Sequence, residues 1–197
     1  MFYYIEGVLA LKSDTFAVVD VGGVGYEVYT TKTTLEELGE TGQKVKLYTY
    51  LNIKMSSDTV SLYGFKTLEE KRVFEMILSV SGIGAKTAVS LLSGVSPSKF
   101  AMCVVCDDSK YLSDHTQGLG PKGAKRIILE LKDKFKNADI SDMPDDEIFE
   151  DKNDGENEAL SALMVLGYSR EAAKRALAGA SGSVEDKIKY ALKRLMK

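Results

Sequence analysis

The chain has 197 residues, 44% of them hydrophobic and 28% charged. That balance excludes a wholly disordered or fibrous chain and suits one large domain or two to three small ones. No run of about 18 apolar residues occurs, which excludes an apolar membrane-spanning helix. The N-terminal Met1-Phe2-Tyr3-Tyr4-Ile5-Glu6 lacks the basic and apolar regions of a secretion signal. Two cysteines cannot build a disulfide framework, so the expected compartment is a reducing cytoplasm.

The net charge of −3 averages unlike parts: −3 over residues 1–65, +4 over 66–136, −9 over 137–158 and +5 over 159–197. Binding follows local charge density, so overall acidity does not exclude nucleic acid as a partner.

The first 65 residues read as strands. Residues 3–11 and 15–21 are strand-like around a Ser13-Asp14 turn, and Gly22-Gly23 marks the next turn. Val24, Tyr26 and Val28 alternate with Gly25 and Glu27, the period of a half-buried strand. Thr34-Leu35-Glu36-Glu37 fits a capping box and predicts one short helix with Thr34 as its cap. Residues 45–48 and 60–63 resume the strand pattern. About five strands in this length predict a small closed barrel of the oligonucleotide/oligosaccharide-binding (OB) type.

After Gly64 the period turns helical. Thr67-Leu68-Glu69-Glu70 is a second capping box, and Phe74, Ile77 and Leu78 share a helical face. Ser96-Pro97 predicts a helix start, with Ser as cap and Pro at the first helical position. Ala124, Ile127, Ile128, Leu131 and Phe135 form an apolar stripe. Residues 137–158 hold ten acidic groups whose repulsion predicts an extended linker, with Ile148-Phe149 its one candidate docking pair. From 159, Leu160, Leu163, Met164 and Leu166 precede a stop and restart at Gly167-Tyr168-Ser169. Ser183 then caps a last helix with Ile188, Ala191, Leu192 and Leu195, giving a small three-helix bundle.

A repeat is the most informative feature. Ser81-Gly82-Ile83-Gly84-Ala85-Lys86-Thr87-Ala88 returns 36 residues later as Gln117-Gly118-Leu119-Gly120-Pro121-Lys122-Gly123-Ala124-Lys125-Arg126. Each copy sets an apolar residue between two glycines, a Lys two residues after the second Gly, and a helix on either side. Glycines permit positive φ and a close backbone approach. Ile83 or Leu119 can anchor its turn in the core, while amides at the following helix N-terminus face outward, where the dipole favours an anion. Backbone donors read no base, so such turns predict sequence-independent binding of DNA phosphates. Pro121 removes one donor from the second turn, and Gly123 weakens its helix start by about 1 kcal/mol relative to Ala. Lys122, Lys125 and Arg126 are expected to restore phosphate attraction there.

Other chemistries fit less well. A phosphate-binding P-loop needs Gly-Lys-[Ser/Thr], but Ala85 separates Gly84 from Lys86 and the preceding segment is helical. A dinucleotide Gly-x-Gly-x-x-Gly fails because residue 87 is Thr. Cys103 and Cys106 lack further zinc ligands, with His115 the only histidine, and read as buried helix cysteines. His115 reads as a surface or capping residue. Tyr48 and Tyr50 read as core more than as base-stacking platforms. No cofactor, metal or catalytic group is expected.

These motifs together resemble the RuvA family of Holliday-junction branch-migration subunits. The resemblance rests on residues 21–28 (VGGVGYEV), Leu62-Tyr63-Gly64-Phe65, both glycine turns, Glu130-Leu131-Lys132-Asp133-Lys134-Phe135 and residues 162–168 (ALMVLGY), and it covers essentially the whole chain. It implies a multidomain α+β chain. An OB-type barrel (1–65) assembles a tetramer, and a tandem helix-hairpin-helix domain (66–136) binds the junction arms. An acidic linker (137–158) tethers a three-helix bundle (159–197) that binds RuvB, a hexameric ATPase. RuvC, a resolvase, is a further partner the resemblance admits, and the sequence leaves open whether one tetramer or two clasp the junction. DNA contact falls to Gly82, Ile83, Gly84, Lys86, Thr87, Gly118, Leu119, Gly120, Lys122, Lys125 and Arg126, and partner contact to Leu163, Leu166, Gly167 and Tyr168. The family's acidic pin maps to residues 52–59, where Asp58 is the one acid and Ser57 stands where an acidic neighbour is usual.

The leading reading is a non-catalytic, structure-selective DNA-binding subunit. Two alternatives stay open: a nuclease using Asp107, Asp108 and Asp114 around Mg²⁺, and a protein-binding adaptor whose glycine turns are merely structural.

Overall fold

A computed structural model describes residues 2–54, 58–136, 154–166 and 168–195. Five strands form a closed barrel in the order β1-β2-β3-β5-β4: β1 Tyr4–Lys12, β2 Phe16–Val21, β3 Val24–Tyr29, β4 Lys44–Lys54 and β5 Thr59–Phe65. The alternation seen around Tyr26 becomes register, with Val19 opposite Tyr26 and Ala17 opposite Val28. Closure comes from antiparallel β1–β4 pairing, with Ile5 opposite Leu47, and a parallel β3–β5 contact at Tyr29 and Tyr63. Ile5, Leu9, Ala17, Val19, Val28, Val45 and Leu47 fill the interior. Each large side chain among them contributes roughly 1.5–3 kcal/mol.

Helix α1 (Lys32–Glu37) covers the barrel with Leu35 and Leu38. Its cap is Thr31, which accepts from the Thr34 amide at 3.1 Å; the expectation that Thr34 would cap it is corrected. The Thr34 hydroxyl instead donates to Glu70 Oε2 at 2.7 Å, and the Thr31 hydroxyl donates to Glu70 Oε1 at 2.5 Å. Thr67 caps α2 (Leu68–Leu78) as expected, accepting from the Glu70 amide. The Glu70 carboxylate does not reach back to that cap, because the two buried threonines satisfy it.

The chain divides into two compact units. The first runs through Ser96 and takes in residues 115–119: the barrel, α1, α2 and α3 (Ala85–Gly94). Phe74 of α2 sits in an aromatic cluster, its ring 4.7 Å from Phe65, 5.3 Å from Tyr63 and 5.4 Å from Tyr50. Such pairs add about 0.5–1.5 kcal/mol each beyond their buried area.

The second unit holds α4 (Pro97–Val105), α5 (Ser109–Asp114), α6 (Pro121–Lys136), α7 (Asp154–Val165), α8 (Arg170–Leu177) and α9 (Val184–Leu195). Pro97 and Pro121 both open their helices, as proline does where no intrahelical amide bond is lost. Ala124, Ile127, Ile128 and Leu131 are buried as the stripe predicts; the Phe135 side chain lies outside the described residues. Ser169 and Ser183 cap α8 and α9. Helix α7 begins at Asp154, inside the span read as linker, and its acidic first turns suit the positive end of a helix dipole. The pair Ile148-Phe149 lies outside the described residues. Cys103 is buried but Cys106 is exposed just past the end of α4, which corrects the expectation for that residue. Among the described residues no single helix is long and apolar enough to cross a membrane.

Candidate nucleic-acid interface

The first glycine corner follows from how α2 stops. Buried Val80 turns the chain, Gly82 adopts φ +78°, and the Ile83 amide donates back to the Val80 carbonyl at 3.2 Å. Gly84 then enters α3 in an extended conformation and brings no side chain to cap it. The second corner repeats this geometry. Gly118 adopts φ +82°, and the Leu119 amide donates to the Thr116 carbonyl at 3.3 Å. The Ala88 amide reaches the Gly84 carbonyl and the Ala124 amide the Gly120 carbonyl, each at 3.0 Å.

The amides of Ile83 and Leu119 close their turns and are not on offer. The first three amides of a helix have no intrahelical acceptor. Those of Ala85, Lys86 and Thr87 therefore remain available, uncapped by Gly84. In the second corner Pro121 has no amide, which leaves those of Lys122 and Gly123. The anchors differ as well: Leu119 is buried, whereas Ile83 is half-buried.

Gly82, Gly84, Gly118, Gly120, Lys86, Lys122, Lys125 and Arg126 are exposed, and Thr87 is half-buried. Lys86, Lys122 and Lys125 take part in none of the ion pairs among the described residues. Each corner thus joins bare amides, a helix N-terminus and an unpaired lysine, a set suited to a phosphate. Gly118 and Leu119 belong to the first unit with the first corner; Lys122, Lys125 and Arg126 belong to the second.

Asp58 is exposed with φ +47° at the entrance to β5; Ser57 lies outside the described residues. Leu163 and Leu166 are 0% and 1% exposed. They fill a core with Ala173, Leu177, Ile188 and Leu192, so the bundle's own packing covers the face expected to meet a partner. Tyr168 is half-buried, and Gly167 lies outside the described residues.

Asp107 pairs with Lys132 at 2.5 Å, and Asp108 accepts from the Tyr111 amide at the start of α5. No group of three His, Cys, Asp or Glu among the described residues is placed to hold a metal ion. Burial pushes the Cys103 thiol up to about 11, which keeps it protonated at neutral pH. Tyr50 packs edge-on against Phe74, and Tyr48 lies near Tyr3 and the Lys46 ammonium. Sequence reasoning missed Glu70, because its partners lie 36 and 39 residues away and no local pattern announces them.

A closed five-stranded barrel, tandem glycine corners at helix N-termini and a small C-terminal helical bundle define a helix-hairpin-helix protein built on an OB-type barrel. Family models agree segment by segment: RuvA N terminal domain over residues 1–64, SAM-like helix-hairpin-helix tandem over 74–133, and RuvA C-terminal domain over 154–196. The chain is 46% identical to the Holliday junction branch migration complex subunit RuvA of Acetivibrio thermocellus, over 99% of this chain and 98% of that protein. It is 43% identical to that of Thermoanaerobacter pseudethanolicus and 41% identical to that of Clostridium tetani, each over the full length of both chains. The chain belongs to the RuvA family.

Proposed function

We propose that this protein is the non-catalytic, junction-recognising subunit of a branch-migration complex in recombination and DNA repair. It binds four-way DNA junctions by shape and recruits the hexameric ATPase RuvB, which moves the junction. The observation that carries this reading is the matched pair of glycine corners, each presenting free amides and an exposed lysine at a helix N-terminus.

Each corner holds the sugar-phosphate backbone of one strand, so one hairpin pair alone grips any duplex. Selectivity for crossed DNA arises when four barrels (residues 1–65) assemble symmetrically and repeat the 66–136 region around a centre. Asp58, one per subunit, then places four negative charges where strands cross and repels phosphates from the exchange point. The segment 159–197 meets RuvB through its exposed basic surface, since Leu163 and Leu166 are interior. RuvC acts on the same junction, one tetramer or two clasp it, and the complex works in the cytoplasm.

A gel-shift titration of the purified chain on a synthetic four-way junction and on linear duplex of equal length tests this. Preferential binding of the junction, weakening steeply with salt as counterions are released, is expected. Equal affinity for the two substrates contradicts the reading. Metal-dependent cleavage of the labelled junction would favour a nuclease, and no DNA binding at low salt would favour an adaptor.

A further inference from the structure

We propose that Gly94 and Ser90 of α3 are positioning residues that seat residues 115–117, the approach to the second phosphate-binding corner, on that helix. The inference rests on the reading of those corners given above. Gly94 is the last residue of α3, and its φ is not left-handed, so backbone freedom does not explain a glycine there. Space does. A Cβ at residue 94 would lie 2.0 Å from the His115 carbonyl oxygen and 3.2 Å from its carbon. Both are main-chain atoms, which cannot swing aside as a flexible side chain would.

One helical turn earlier, the Ser90 hydroxyl donates to the Gln117 carbonyl at 2.8 Å. Residues 90 and 94 stand on one face of the helix, as the i, i+4 spacing requires. The segment 115–117 is therefore seated on the C-terminal half of α3, and Gln117 directly precedes Gly118. The N-terminus of the same helix is the first corner. One ten-residue helix, about 15 Å long, thus carries one corner at its start and seats the approach to the other along its second half.

DNA phosphates stand at fixed spacing, so a binding constellation must be held to roughly half an ångström. Any side chain at residue 94 pushes the seat away by more than an ångström before ordinary contact returns. Every phosphate-contacting residue stays in the chain, but the second corner misses its strand. Ser90 and Gly94 touch no DNA in this account and act only through residues 115–117.

The test is equilibrium binding of the full chain to a synthetic four-way junction across a salt series. Gly94→Ala and Ser90→Ala are each combined with Lys86→Ala or Lys122→Ala, and thermal melting of each variant is recorded. In the parent, each lysine variant lowers the salt slope by about 1 per phosphate contact removed. In Gly94→Ala, Lys86→Ala still lowers it, but Lys122→Ala, three residues beyond Leu119, no longer does. General destabilisation would scale both lysine effects alike and does not predict this asymmetry. Ser90→Ala, which adds no bulk, shifts the Lys122 effect in the same direction to a smaller extent and carries the test if Gly94→Ala does not fold. An undiminished Lys122 effect in both backgrounds overturns the proposal. If neither lysine matters in the parent, the corner reading falls and this inference with it.

Discussion

The two glycines of each corner do different jobs, and the difference is measurable. Gly82 and Gly118 sit at φ +78° and +82°, where a Cβ costs roughly 1–2 kcal/mol. Gly84 has extended backbone, and a Cβ there meets only open space. Nothing in the protein's own packing demands a glycine at 84, whereas a phosphate approaching bare amides does. Gly82→Ala is therefore expected to lower both melting temperature and DNA affinity. Gly84→Ala should leave melting unchanged and lower affinity alone. Paired melting and binding curves check this, and an unchanged affinity for Gly84→Ala would contradict close backbone approach at that corner.

Between elements, the buried Glu70 carboxylate ties α2 to the threonines flanking and within α1. Burial holds its pKa above the usual carboxylate range, with nearby Glu37 adding in the same direction, while the Thr31 and Thr34 hydroxyls and the Lys66 amide oppose the shift. A carboxyl raised in the folded state contributes stability that is fully present below its unfolded value and lost as pH rises through its folded value. Glu70→Gln has no such ionisation. Its stability relative to the parent is expected to improve as pH rises from the ordinary glutamate range through the raised value of Glu70. Urea unfolding at a series of pH values checks this; a constant gap between variant and parent would contradict it. The cap of α1 was misread for a related reason. The segment from Thr31 to Thr34 offers three hydroxyls for one cap, and which is used depends on Glu70, far along the chain. Strand alternation around Tyr26, the Thr67 cap and the two proline-led helices were legible because each is decided by neighbours in sequence. Gly94 was not: its requirement is set by the His115 carbonyl, which arrives from beyond two further helices.

At the scale of the molecule, the chain separates a slightly acidic barrel segment from a basic helical one, so its net charge of −3 conceals a region of local positive charge suited to phosphates. The barrel and the C-terminal bundle were readable from periodicity, because apolar residues recur at the strand or helix period, and the tandem corners from the repeated Gly-x-Gly turn. Leu163 and Leu166, expected to meet a partner, are taken up by the core of this chain, since an apolar stripe on a small helix is consumed first by intramolecular packing. The charge-reversed double variant Lys86→Glu with Lys122→Glu tests the account most directly, with junction affinity measured across a salt series and assembly checked by sizing in the same buffer. The predicted result is a large loss of affinity and a shallower salt slope with assembly unchanged. Junction binding indistinguishable from the parent would contradict the corners as the DNA contact.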